Sequence, residues 1–394
     1  MSVSEIDKKF LESISGKNVN FLIGSGASFP YFPTLHLGDN MPTFEELVTS
    51  NEMYDKNKKI MYAYYFDKWI SEMFLLNISE EKTTDYEDVI GNYKRLVNNL
   101  LIFLQREGNE KPKRVNLFTT NYDLFFERTF DEINKKGPFC YFNDGSKGFI
   151  ERAIGISNFH MNVSHSGVND RYKREVPTIN LLKVHGSVSW TQKKEGKEEI
   201  LVSYQDNQIS DLKNYLNDID DYSRTDIENI FEELSDEIEG EEIKIEIKNI
   251  SEKLSDLNIN EDRVSNFYDL YKAIPIINPN KWKFNETVFE QHYYQLLRLL
   301  SYELEKKGAV LIVFGFSFAD EHITEIIKRS MSNPTLKVYI VSYSKSSKEN
   351  IKQKIGLYPN ITYLPQKFEK NDGTCLNGNF DFLNNLFEGK DSYE

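Results

Sequence analysis

The stretch Asn18-Val19-Asn20-Phe21-Leu22-Ile23-Gly24-Ser25-Gly26-Ala27-Ser28 decides how this chain is read. Its first half is a short, mostly apolar run of strand type. Its second half is a glycine turn. Glycine lets a backbone turn tightly and approach a phosphate closely, and such a turn after a first strand is where dinucleotide folds hold a pyrophosphate. The third glycine of the usual fingerprint is missing, and Phe29 and Pro30 follow instead. A plain glycine turn closing a strand is the competing reading.

Four more apolar runs resemble the first: Val115–Phe118, Ile179–Val184, Ala309–Phe314 and Leu336–Val341. They are short and lack alternation, as parallel strands buried on both faces do. Helical spacing fills the gaps at Lys58–Leu76, Asp85–Glu107, Leu124–Ile133, Glu286–Lys307, Asp320–Ser330 and Lys345–Ile355. Strands alternating with helices predict an α/β fold, a Rossmann-like parallel sheet flanked by helices. The expected arrangement is a single domain over 1–394, with its core at about 14–133, 175–204 and 274–370. Two insertions interrupt it. Residues 134–174 read as loop-rich. Residues 206–269 are acidic and read as amphipathic helices, either a solvated insertion or a docking surface or gate.

Composition narrows the function. The 394 residues carry 48 basic and 62 acidic side chains, a net charge of −14, so a broad basic face for nucleic acid is not expected. The two cysteines, Cys140 and Cys375, cannot build a four-cysteine zinc site and read as unpaired thiols in a reducing compartment. Met1–Phe10 has no apolar signal region, and the longest clean apolar stretch, Ala309–Phe314, is far below the roughly 20 residues of a membrane span. The expectation is a cytoplasmic protein that engages neither membrane nor nucleic acid directly.

Ligands bind beyond the carboxyl ends of strands in such sheets, so chemistry is sought there. Thr119-Thr120-Asn121-Tyr122-Asp123 follows one strand. A helix cap accounts for one of its polar groups, and the others are available to a ligand. His185-Gly186-Ser187 ends another, where an imidazole near neutral pH suits a general base. Trp190 lies close by, as a pocket wall or a core residue. Gly315-Phe316-Ser317 makes a second tight turn, with Asp320 read as the following helix cap. Ser342 ends the next strand.

Taken together these motifs resemble the sirtuin family. Gly24–Ser28 is similar to its Gly-Ala-Gly-Ala-Ser loop, with Ser25 in place of alanine. Thr119–Asp123 is similar to its Thr-Gln-Asn-x-Asp segment, with Thr120 in place of Gln. His185-Gly186 is similar to its His-Gly, and Gly315–Ser317 to its Gly-Thr-Ser turn, with Phe316 in place of Thr. The resemblance spans roughly residues 18–345. The zinc module of the deacylases is absent, and Phe29–Thr34 lacks their Asp-Phe-Arg element. Together with Ile274–Pro279 and Phe314–Ile323, this resembles the sirtuin-like branch of bacterial antiphage systems.

The resemblance implies an NAD+ glycohydrolase that cleaves NAD+ to nicotinamide and ADP-ribose, with NAD+ as substrate and no zinc. It implies Asn121 and His185 as catalytic residues. It gives Gly24, Ser25, Gly26, Ala27 and Ser28 to the phosphates and Asp123 to the nicotinamide ribose. Gly315 and Ser317 go to the adenosine half, and Thr120 and Ser342 complete the binding set. It further implies a toxic effector in antiphage defence, a homo-oligomer or one activated by a HerA-type ATPase or short Argonaute. The alternatives are an NAD-dependent deacylase or ADP-ribosyltransferase, and a non-catalytic NAD- or ADP-ribose-binding subunit.

Overall fold

The computed structural model describes residues 3–32, 37, 41–75, 83–108, 111–137, 139–193, 199–205, 208–236, 246–277 and 288–393. Parts of the sequence expectations fall outside these residues: Pro33 and Thr34, Leu76, Asp206, the stretch 237–245, Asn278 and Pro279, and Glu286.

Seven strands form one sheet. They are β1 (Asn18–Ile23), β2 (Arg114–Thr119), β3 (Tyr141–Asn143), β4 (Thr178–Lys183), β5 (Ala309–Phe314), β6 (Lys337–Val341) and β7 (Ile361–Leu364). Their spatial order is β7-β6-β5-β1-β2-β4-β3, and every pairing is parallel. All five apolar runs are interior strands. The two edge strands were not legible, since three or four residues carry no period to read. Tyr141–Asn143 lies inside the segment read as a loop-rich insertion. It joins the sheet by pairing with β4.

The helices follow in chain order: α1 (Val3–Ile14), α2 (Phe44–Thr49), α3 (Asp55–Tyr65), α4 (Ser71–Leu75), α5 (Thr84–Arg106), α6 (Phe125–Lys135), α7 (Gln208–Asn217), α8 (Arg224–Asp236), α9 (Ile247–Asp256), α10 (Glu261–Tyr271), α11 (Val288–Glu305), α12 (Glu321–Ser330), α13 (Lys345–Ile355) and α14 (Phe380–Glu388). A π-helical turn, Phe66–Ile70, joins α3 to α4.

The strands' two-residue period sends alternate side chains to two cores. Val19, Phe21 and Ile23 of β1 pack with α1, α5, α6 and α14. Leu22, Leu311 and Val313 pack with α11, α12 and α13 on the other face. Helix α5 fits because Val89, Tyr93, Leu96, Val97, Leu100 and Leu104 fall on one face and are buried, and Thr83 caps its first turn.

One polar line crosses the sheet. Asn116 Nδ2 donates to Asn20 Oδ1 at 2.8 Å, Asn180 Nδ2 to Asn116 Oδ1 at 2.9 Å, and Asn143 Nδ2 to Asn180 Oδ1 at 2.9 Å. These four buried residues are register partners on β1, β2, β4 and β3. Asn20 Nδ2 also donates to Val310 O, Asn180 Nδ2 to Phe159 O and Asn143 Nδ2 to Asn158 O. Burying amides is favourable only when they are bonded, and this ladder bonds them.

The acidic segment is more than a solvated surface. Ile209, Leu212, Leu216, Ile227, Phe231, Leu254, Val264 and Phe267 of α7 to α10 share a third core with Phe44, Tyr62, Tyr65 and Trp69 of α2, α3 and the π turn. Leu124, Val188 and Ile276 belong to the same core, so this helical layer rests on the loops that follow β2 and β4. No described helix is long and apolar enough to cross a membrane.

Candidate functional site

Register builds the site. Ile23 pairs with both Thr119 and Phe314, Thr119 with Lys183, and Phe314 with Val341. Gly24, Thr120, Val184, Gly315 and Ser342 are therefore each the first residue past a level row of strand ends. Asn121 and His185 are the second residues past it, on adjacent strands whose backbones run about 4.8 Å apart. From β1 the chain runs to β2 and β4 on one side, then crosses to β5 and β6 on the other. The crevice at such a switch is where open α/β sheets bind ligands.

The glycines have a structural reason beyond a ligand. Gly24 N–H donates to Phe314 O and Gly26 N–H to Gly315 O, both at 3.0 Å. A Cβ on Gly24 would lie 2.4 Å from Gly315 O, and one on Gly315 (φ 65°) would lie 2.6 Å from Ala27 N. The two turns interlock backbone to backbone, which no side chain permits. Ala27 N–H and Ser28 N–H close a 3₁₀ turn onto Gly24 O and Ser25 O. Most of this loop's amides are thus already bonded. Ser25 and Gly26 are its exposed residues, while Gly24, Ala27 and Ser28 are buried.

Ser28 is a hub. Its hydroxyl donates to Asp123 Oδ2 at 2.7 Å, because a carboxylate only accepts. It then accepts from Asn121 Nδ2 at 3.1 Å and from Tyr93 OH at 2.9 Å. One donor and two lone pairs are filled. Burial holds the Tyr93 phenol well above its ordinary pKa, so its proton stays in place. Asp123 Oδ1 takes the Phe125 N–H at the start of α6. Ser28 is 2% exposed and Asp123 is 3% exposed. Ser28, expected at a phosphate, and Asp123, expected at a ribose, are thus bonded to each other here, Ser28 also to Asn121 and Asp123 to the Phe125 N–H.

What the hub produces is the orientation of Asn121. With Nδ2 held by Ser28, Oδ1 faces the other way, is buried, and has no partner. An unpaired buried acceptor is costly and points to a group that would fill it. Ser342 Oγ is a second such atom. Thr120 is half-buried, with its N–H on Ile23 O. Ser317 is exposed, and its carbonyl takes Lys354 Nζ at 3.0 Å.

The Asn121 loop is also tied, at Asp123, to an ion pair that sequence reading missed. Lys183 Nζ sits 3.1 Å from Glu127 Oε1 and also donates to Asp123 O. Burial pushes the Glu127 carboxyl up, against the pull of the Lys183 ammonium.

His185 is held from two sides. Its Nε2 lies 2.9 Å from Asp320 Oδ2, and its carbonyl takes the Ile277 N–H at 2.8 Å. Ile276 bridges Gly186, and Tyr122 OH donates to Ile277 O. Gly186 (φ 90°) is required here, since a Cβ would meet Pro275 O at 2.0 Å. Asp320 does cap α12, with Oδ1 on the Ile323 N–H at 2.9 Å, but its other oxygen turns to His185. Burial alone would raise this carboxyl; the bonds from His185 and Ile323 outweigh it and hold it below the usual range. Trp190 is a core residue, its ring edge-on to the buried His292 at 5.2 Å.

Among the described residues no group of three or more His, Cys, Asp or Glu gathers as a metal site.

Residues 115–235 match the SIR2-like domain family. The SIR2-like match takes in β2, the Asn121 loop, β4, His185 and the helices α7 and α8. The Gly24 and Gly315 turns lie outside the matched residues but interlock at the same sheet edge. No curated protein sequence matches the chain. A SIR2-like domain on a Rossmann-like sheet is compatible with chemistry on NAD.

Proposed function

We propose that this chain is an NAD+ glycohydrolase, adding water across the nicotinamide–ribose bond to give nicotinamide and ADP-ribose. One observation carries the reading. Asn121, with an unpaired buried Oδ1, and His185, with a carboxylate partner, stand level at the ends of adjacent strands. The residues fit the substrate in kind. Ser25 and Gly26 present the exposed edge of the β1 turn toward the phosphates. Ser317 and Ser342 lie on the β5 and β6 side, toward the adenosine half. From β4 to β6 the sheet edge covers four strand spacings, about 19 Å, room for an extended dinucleotide.

In this reading Asn121 Oδ1 accepts from a ribose hydroxyl or from the attacking water, and His185 takes the water's proton. The C1′–N bond breaks with its electron pair moving to the ring nitrogen. That nitrogen begins cationic, so the departure needs no acid. Positive charge developing on the ribose is the feature that Asn121 and the site's dipoles stabilise.

The proposed role is the toxic effector of a bacterial antiphage defence, active on self-assembly or on meeting a partner protein. Exposed Phe139, Phe149, Ile150, Val168 and Tyr172 supply apolar surface for such a contact.

The test is nicotinamide release from NAD+ by the full chain, followed by chromatography over a range of protein concentrations. Asn121→Ala and His185→Ala should each lower turnover by about 10²-fold or more. Both variants cleaving NAD+ as fast as the wild type would refute the site.

A further inference from the structure

Asp320 comes from the turn after β5, yet it reaches a histidine after β4, three strands away in the sheet. The two residues are 135 positions apart in the chain. The connection 315–320 is held in place on the way. Gly315 locks against the Gly24 turn, and Phe318 sits buried in the left-handed region at φ 56°. Non-glycine residues are held there only when the surroundings impose it. Asp320 itself is fixed by the α12 cap, which occupies Oδ1 and leaves Oδ2 pointing at His185. The pair is mostly enclosed, with side-chain exposures of 15% for His185 and 17% for Asp320.

A carboxylate accepts and cannot donate. The imidazole nitrogen facing Oδ2 must therefore carry the hydrogen, and that nitrogen is Nε2. The lone pair is left on Nδ1, which bonds to no described residue. We propose that Asp320 is a positioning residue: it fixes the Nε2–H tautomer of His185 and so makes Nδ1 the atom that accepts a proton in the reaction. This rests on the NAD+ hydrolysis reading for its catalytic consequence, but the tautomer itself does not. The other ionisable groups facing the pair are the phenols of Tyr293, on α11, and Tyr122, after β2, together with His322 on α12. Burial pushes both phenols far up, so they stay neutral and Asp320 is the only carboxylate among these groups.

The experiment has two arms on the full-length protein. In the first, ¹⁵N-histidine labelling reports which imidazole nitrogen of His185 carries hydrogen, assigned by loss of the signal in His185→Ala. The wild type should show Nε2–H. In Asp320→Asn the side-chain amide keeps the cap through its oxygen and presents its N–H₂ to Nε2, so the hydrogen should move to Nδ1. In the second arm, nicotinamide release should fall about 10²- to 10⁴-fold in kcat for Asp320→Asn, with KM within threefold. Asp320→Ser, which still caps the helix but cannot reach His185, should lose comparable activity while unfolding at the wild-type temperature.

A wild-type Nδ1–H tautomer, or a mixture, overturns the proposal, and so does Asp320→Asn with undiminished kcat. If the tautomer inverts as expected while no sample releases nicotinamide, the positioning of His185 by Asp320 stands and NAD+ hydrolysis by the chain on its own falls.

Discussion

Replacing Ser28 by alanine should be far more damaging than its size suggests. The substitution removes a single oxygen, but three buried groups lean on it: Asp123 Oδ2, Asn121 Nδ2 and Tyr93 OH. Leaving a buried polar group unpaired costs about 1–3 kcal/mol, with charged groups at the upper end. Asp123 keeps the Phe125 N–H on its other oxygen, and Tyr93 lies within reach of Asn121, so part of the loss is recovered. A net cost of roughly 3–5 kcal/mol follows, a large fraction of an ordinary domain's stability of about 5–15 kcal/mol. Tyr93→Phe is the matched comparison. It deletes one donor to the same hydroxyl and leaves Ser28 bonded to Asp123 and Asn121, for a cost of about 1 kcal/mol. Equilibrium urea unfolding, followed by circular dichroism, would compare the two. The backbone turn is common to both variants because Ser28 N–H remains on Ser25 O. A Ser28→Ala protein as stable as Tyr93→Phe would show that the hydroxyl is not the hub. Activity gives a second reading: without the Ser28 hydroxyl, Asn121 Nδ2 keeps only the Tyr93 phenol within reach, and the aim of Oδ1 is loosened.

Two further outcomes follow from buried charge. Lys183→Met leaves the Glu127 carboxylate enclosed without its cation and should cost about 3–5 kcal/mol in urea unfolding; adding Glu127→Leu should restore most of it. A double variant no more stable than Lys183→Met alone would contradict this. His292 is buried, its Nε2 has no partner, and burial drops its pKa to about 4 from 6.5. The unfolded chain therefore takes up a proton between pH 6.5 and 4 that the folded chain resists. Stability from this group is full above pH 6.5 and declines toward pH 4, by on the order of 3 kcal/mol. His292→Leu should flatten that part of the stability–pH curve, and an unchanged slope would show that His292 does not cause it.

The interior strands and the helices between them could be read from the sequence because burial on both faces writes itself as an apolar run. Ile23, Phe118, Val184 and Phe314 each mark where such a run stops, so the strand ends were legible too. Edge strands β3 and β7 were not, because they are brief and half-covered. What escaped the reading was every contact set by packing across long separations. Ser28 meets Tyr93 from 65 residues away and Asp123 from 95, so its place at a glycine turn gave no hint of a hub. Asp320 was legible as a cap from its position before α12. Its second oxygen was not, since nothing local marks the approach of His185. The aromatic run around Tyr62 to Phe66 was readable as a helix, but not as the floor on which the acidic helices lie.

The asparagine ladder acts as a ruler for the site. Asn20, Asn116 and Asn180 each precede a strand-end residue by five positions: Ser25, Asn121 and His185. Locking the rungs side by side locks those three at a common height. A slip of one residue would turn every rung to the opposite face of its strand, and a slip of two would displace Asn121 from His185 by about 6.6 Å along the strands. Hydrophobic side chains of similar size tolerate such offsets; a chain of amides that must each find the next does not. The precision of the crevice is thus calibrated from inside the sheet, five residues of backbone before Ser25, Asn121 and His185.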